Sequence, residues 1–224
     1  MKELKEWLRQ SEKEPAEEMT EFFGARLGGY EEHMQIWRQA YEQMAEFVCR
    51  SGVKRVLDLG CGTGLEIDEI LSRDPSVTIT GIDLSADMLQ KLQEKHPKVQ
   101  TSCADYFAAD FGSVPYDMVI SVESFHHFPA EQKQRLFAKI LCALKPDGVF
   151  LEADYLACCD EEETLLGEMC RRKRLRDRIP EAQFVHIDTP LTAEHELAAL
   201  DAAGFSSAEL IGCIQGAVFV RATR

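Results

Sequence analysis

A chain of 224 residues, 45% apolar and 29% charged, has the length and composition of one α/β domain with an appendage, which excludes global disorder and two independent cores. Its formal charge of −14 opposes non-specific binding to nucleic acid or an anionic membrane, because such binding relies on clustered lysine and arginine, and so favours a small-molecule partner. The start from Met1 to Arg9 is too charged for a secretory h-region, and no apolar run approaches the roughly 20 residues of a spanning helix, so the expected location is the cytoplasm.

Residues 1–50 read as a helical N-terminal cap or lid: a charged first segment, a helix from Glu12 to Phe23 and, after the break at Gly28-Gly29, a longer helix from Glu31 to Arg50. This last helix sets Met34, Trp37, Tyr41, Met44 and Val48 on one stripe, which predicts packing against the main domain. From Lys54 the period changes. Short apolar runs alternate with helical segments as in βαβ units around a parallel sheet, with strands expected at Arg55 to Leu59, Val77 to Ile82, Val99 to Cys103, Tyr116 to Val122 and Gly148 to Ala153. Ser85 is placed to cap a helix starting at Ala86, Pro129 opens one running to Leu144, and Lys145-Pro146-Asp147-Gly148 reads as a stop and turn.

Residues 155–191 interrupt the alternation with a charge-rich helical insert ending near Pro180, placed to cover a site. Thr192 then caps a helix that stops at Gly204, and two strands, Ser206 to Cys213 and Gly216 to Ala222, form an antiparallel hairpin. The main domain is thus expected over residues 51–224. The basic run from Arg171 to Arg178 reads as a solvated helix face paired with Asp160 to Glu163 and with Glu168; an anionic-substrate or RNA patch is the weaker alternative. The eight cysteines show no C-x-x-C pair or other metal-ligand spacing, so reduced thiols and no metal are expected.

The strongest signal is Val56-Leu57-Asp58-Leu59-Gly60-Cys61-Gly62-Thr63-Gly64, an apolar strand running into a glycine-spaced loop before a helix. Glycines let backbone approach a ligand at the carboxyl end of a strand, where open α/β sheets bind nucleotides. Asp83 ends the second strand, where a carboxylate can accept from both ribose hydroxyls, and Asp105 follows the third, where it can accept from an adenine amino group. Three strand ends converge on one crevice.

At these residues the chain resembles the class I S-adenosylmethionine-dependent methyltransferases, closely over about residues 52–154 and loosely at the C-terminal end. The resemblance implies a Rossmann-like three-layer sandwich whose seven-stranded, mostly parallel sheet has an antiparallel last strand. It implies S-adenosylmethionine as cofactor, S-adenosylhomocysteine as product, and a loop of Gly60, Cys61, Gly62 and Gly64 against the methionine portion. It further places Asp83 on the ribose, Leu84 and Met88 about the adenine, Asp105 and Tyr106 at its edge, and Ser121 on the fourth strand nearby. Asp58 inside the first strand suits a ligand carrying ammonium and sulfonium better than a pyrophosphate. A nicotinamide-dependent oxidoreductase fits Asp83 and the loop, but position 65 is leucine where its third glycine belongs; a nucleotide-binding domain without catalysis shares the same motifs.

Methyl transfer from a sulfonium is an in-line displacement governed by orientation. The loop Glu123-Ser124-Phe125-His126-His127-Phe128 is expected beside the reactive methyl, with His126 or His127 able to take a proton from a phenol, alcohol or amine. Tyr30 and His33 from the lid, with Glu123 and Tyr155, are candidate acceptor-shaping residues, and Asp154 is a lesser candidate. The Asn/Asp-Pro-Pro-aromatic signature of base amino methylation is absent, so a small-molecule acceptor is expected ahead of tRNA or protein. The acceptor atom and the oligomeric state, a homodimer included, are left open by the sequence.

Overall fold

The computed structural model describes residues 1–180 and 183–224. In chain order the helices are α1 (Lys2–Ser11), α2 (Met19–Arg26), α3 (Tyr30–His33) and α4 (Arg38–Arg50); then β1 (Arg55–Leu59), α5 (Leu65–Arg73), β2 (Thr78–Asp83), α6 (Ala86–Lys95), β3 (Gln100–Cys103) and β4 (Tyr116–Val122) follow. They are succeeded by α7 (Ala130–Ala143), β5 (Leu144–Tyr155), α8 (Asp160–Asp177), α9 (Ala193–Ala203), β6 (Ser207–Ile214) and β7 (Ala217–Thr223). The seven strands form one sheet in the order β3-β2-β1-β4-β5-β7-β6, parallel from β3 to β5, with β7 antiparallel to both its neighbours.

The strand sequences carry few polar residues because both faces of the sheet are covered. Successive residues serve opposite layers: Val56, Met118, Ile120 and Leu151 pack with α4, α5 and α6, while Leu57, Leu59, Val119 and Phe150 pack with α7 and α9. The N-terminal stripe divides along its length. Tyr41, Met44 and Val48 of α4 are buried in the first of these layers, whereas Met34 and Trp37 are only partly covered. A third, smaller core joins Leu8 of α1 to Leu166 and Met169 of α8 and to Val185 and Ile187 beyond it.

Three expectations are corrected. Residues 12–18 are not helical; Pro15 sits there, and α2 begins only at Met19, where the Glu18 carboxylate accepts from the Thr20 and Glu21 N–H groups. The span from Glu31 to Arg50 is not one helix: α3 passes through a 3₁₀ turn (Met34–Trp37) before α4. Lys145 to Gly148 is carried inside β5 as an irregularity, since Tyr116 pairs with Leu144 and Met118 already with Val149.

The basic run pairs differently as well. Arg172 does reach Glu168, at 3.3 Å, but its shorter partner is Glu12, at 2.6 Å. Arg174 donates to the carbonyls of Pro180 and Gln183, and Arg176 to those of Glu12 and Glu14. The acidic start of α8 is engaged elsewhere: Glu161 with Lys5, Glu162 with Tyr155, and Glu163 with the Thr192 N–H and His195. Among the described residues no helix is long and apolar enough to cross a membrane.

Candidate active site

Where β1 ends, Gly60, Gly62 and Gly64 all adopt positive φ (79°, 49° and 81°), which side-chain-bearing residues rarely do. A Cβ on Gly60 would lie 2.2 Å from Ser124 Oγ and one on Gly64 2.4 Å from Leu92 Cδ1, so these two glycines serve close packing. Gly62 is different. Its Cβ would meet only Met88 Sδ at 3.5 Å and Tyr30 Oη at 3.6 Å, so its bare backbone faces open space between them.

Asp83 organises this loop. Its Oδ2 accepts from Gly62 N and its Oδ1 from Ser85 N, both at 2.8 Å, and each oxygen keeps a further lone pair. Burial pushes its carboxyl up, against the lowering effect of these N–H groups. A cleft runs across the three strand ends, lined by Gly60, Gly62, Asp83, Leu84, Met88, Asp105 and Tyr106 and roofed by Met19, Phe23 and Tyr30 from the N-terminal helices. Asp105 holds the Phe107 N–H through Oδ1 at 2.8 Å, and the Tyr106 hydroxyl meets Ser124 Oγ at 2.9 Å.

Four residues expected at the cofactor do not line this cleft. Cys61 is buried against Gly81, Gly64 packs on Leu92, and Ser121 donates to the Leu59 carbonyl at 2.8 Å, tying β4 to β1. Asp58 lies wholly buried beneath the loop with neither oxygen hydrogen-bonded. Burial and the neighbouring Glu66 raise its carboxyl well above the usual range, and burial lifts Glu66 to about 7. The orphaned Asp58 oxygens, the open backbone at Gly62 and the spare lone pairs of Asp83 fit a ligand that combines a cationic aminoacyl chain with a ribose.

A second, wider cavity opens beside the first, lined by Phe22, His33, Trp37, His126, His186 and Asp188. Phe23, Tyr30, Glu123 and His127 belong to both. Glu123 holds a positive φ of 50° at the end of β4, a strained conformation that turns the chain into the 3₁₀ turn Phe125–His127. Asp154, at the end of β5, secures that turn: Oδ2 accepts from the N–H groups of Phe125 (2.7 Å) and His126 (2.9 Å), and Oδ1 meets His126 Nδ1 at 2.5 Å. Asp188 Oδ1 stands 3.2 Å from His127 Nδ1, which has no hydrogen-bond partner, and 3.8 Å from His126 Nε2.

These groups shift one another. Burial alone would lower the His126 imidazole, but the charge and hydrogen bond of Asp154 outweigh it and hold it at about 9. Burial and the adjacent His126 keep His127 below its usual value. Burial and Asp154 push Glu123 to about 8, while the histidines hold Asp188 well below the carboxylate range against its own burial. Tyr155 lines neither cavity; its hydroxyl donates to Glu162 at 2.7 Å.

Sequence reading missed Asp188 and His186 and gave Asp154 too little weight. His186 and Asp188 alternate with the buried Val185 and Ile187 on an irregular segment, and that polar alternation was the available signal.

Residues 56–148 match the family model of a methyltransferase domain, and the fold aligns with the solved complex of DhpI with S-adenosylhomocysteine at a TM-score of 0.67, 17% identity, 91% of this chain and 93% of the other. Residues 56–148 thus form a methyltransferase domain, and the chain is similar to S-adenosylmethionine-dependent methyltransferases. The nicotinamide alternative and the reading as a binding domain without catalysis find no support in these matches. An uncharacterised methyltransferase of Anoxybacillus flavithermus is 23% identical over 179 residues, 80% of this methyltransferase and 84% of the relative. A trans-aconitate 2-methyltransferase of Paracidovorax citrulli is 34% identical over 114 residues, and there the match spans 50% of this chain and 42% of the relative.

Proposed function

We propose that this methyltransferase moves the methyl group to a hydroxyl oxygen of a small, partly aromatic molecule seated in the second cavity. The observation that carries the reading is the junction: the two cavities meet at Phe23, Tyr30, Glu123 and His127, so a donor in one and an acceptor in the other face each other there. Gly60, Gly62, Asp83, Leu84, Met88, Asp105 and Tyr106 would hold the cofactor, which when bound supplies an electrophilic methyl on a sulfonium, the C–S bond breaking as the O–C bond forms. The chain's contribution is alignment, which in well-oriented reactions is worth about 7–11 kcal/mol, together with a destination for the hydroxyl proton. That destination is the cluster of His126, His127 and Asp188, with the His127 imidazole nearest the donor.

The cavity walls set the acceptor class. Phe22 stacks on His186 with ring centroids 3.5 Å apart, and with Phe23, Tyr30 and Trp37 they offer flat apolar surface to an aromatic ring. Trans-aconitate, the acceptor named for one relative, carries several carboxylates, and Asp188 at the wall of this cavity opposes further negative charge. A polymeric acceptor is disfavoured because Arg172, Arg174 and Arg176 are engaged within the chain.

The test is formation of S-adenosylhomocysteine with a panel of phenols, alcohols, amines and carboxylic acids. Turnover confined to hydroxylated aromatic acceptors is expected; turnover confined to carboxylic acids or amines would overturn the acceptor class.

A further inference from the structure

One ring nitrogen of His126, one of His127 and an Asp188 carboxylate oxygen all lie within 4.8 Å of one another at the wall of the acceptor cavity. Three ligands bound tetrahedrally at about 2.1 Å from a metal are separated from each other by about 3.4 Å. The two contacts of Asp188, 3.2 Å to His127 and 3.8 Å to His126, bracket that edge. His127 Nδ1 is buried and has no hydrogen-bond partner, which leaves it for a ligand. His126 is also prepared from behind. Its Nδ1 is held at 2.5 Å by Asp154, itself fixed by two backbone N–H groups, which leaves Nε2 for a ligand; a carboxylate behind a metal-binding imidazole is the usual way such a ring is oriented. Glu123 Oε1, buried and without a partner, adjoins the same cluster, where it also forms a compact group with His126 and Asp154.

We infer that His126, His127 and Asp188 form a binding site for one divalent transition-metal cation at the junction of the two cavities. Two imidazoles and a carboxylate favour a borderline cation such as zinc over magnesium or calcium, which prefer all-oxygen sets. Three protein ligands leave a position open toward the acceptor cavity, the arrangement of catalytic rather than structural sites. The inference rests on the hydroxyl-acceptor reading and deepens it, because a cation lowers the pKa of an oxygen that reaches it, and the two imidazoles then serve as ligands. The chain's spacing showed no metal pattern because the third ligand comes from the segment after α8, far from the histidine pair in sequence.

The experiment titrates chelator-treated protein with Co²⁺, followed by its visible absorption, and then displaces it with Zn²⁺. One Co²⁺ per chain is expected. Asp188→Asn and His127→Ala should weaken binding at least about tenfold, and Asp154→Asn, which touches only the back of His126, by about 10- to 100-fold. Each variant is first shown to bind S-adenosylmethionine as the parent does, since none of these side chains except His127 borders the cofactor cleft. Absence of a Co²⁺ site, affinity unchanged in Asp188→Asn, or loss of binding in Cys158→Ser/Cys159→Ser instead would overturn the metal site. The two readings fail separately: methyl transfer to phenols by protein without a Co²⁺ site removes the metal and leaves the acceptor class, whereas a Co²⁺ site sensitive to Asp188→Asn without any turnover of phenols leaves the metal and removes the acceptor class.

Discussion

The cofactor cleft and the acceptor cavity share a wall but are built in opposite ways. The floor of the cleft comes from residues 60–106, each at the end of a neighbouring parallel strand, and its geometry follows from sheet register and three positive-φ glycines. The cavity is assembled from α2, the turn into α4, the loop after β4 and the segment after α8. Its central groups are fixed by contacts between distant parts: Asp154 to His126, Asp188 to His127, and Thr189 N donating to the His126 carbonyl at 2.6 Å. The contrast teaches that a scaffold can keep its donor site while its acceptor site is rebuilt from insertions that leave strand register untouched.

The sharpest way to break the contrast is His127→Ala. It should lower kcat by about 10²- to 10⁴-fold with hydroxylated acceptors, while the S-adenosylmethionine affinity measured by calorimetry changes little. A parallel fall in cofactor affinity would mean that the two regions are not separable. Gly60→Ala attacks the other side. Its Cβ would collide with Ser124 at a φ of 79°, so cofactor affinity should drop by about 100-fold, and Ser124→Gly in the same chain should restore part of it.

Asp83→Asn removes a charge that accepts from Gly62 and Ser85, and a loss of about 1.5–3 kcal/mol, roughly 10- to 150-fold in cofactor affinity, is expected with kcat at saturating cofactor nearly preserved. A smaller effect belongs to the buried Asp58–Glu66 pair. Because burial raises the folded Glu66 carboxyl to about 7, its contribution to stability is complete below the unfolded value near 4.5 and is lost as pH rises through 7. The melting temperature of Glu66→Gln should therefore gain on that of the parent between pH 4.5 and 7, and a constant gap across that window would show that Glu66 titrates normally.

How much could be read in advance follows the same division. Arg55–Leu59 and Tyr116–Val122 were legible to the residue, because a strand buried on both faces is a continuous apolar run bounded by polar residues. The start expected at Glu12 and the unbroken helix expected from Glu31 to Arg50 were not. Glu18 caps α2 while bridging to Val185, and Trp37 ends its 3₁₀ turn packed against Gly216; both neighbours are remote in sequence. Asp58 and Ser121 carried the right residue types in the right strands, yet the structure turns the first under the loop and ties the second to Leu59, away from the cleft that their positions suggested.

The succession of strands along the chain and the glycine loop with Asp83 and Asp105 at successive strand ends were determined by the sequence alone, because alternation, glycine spacing and strand length are local properties that survive without knowledge of neighbours. The pairing of His127 with Asp188, the locking of His126 by Asp154 and the meeting of two cavities at Glu123 were decided only by tertiary structure. Side-chain convergence depends on how an insert folds back over a sheet edge, and no periodicity within either segment encodes that distance.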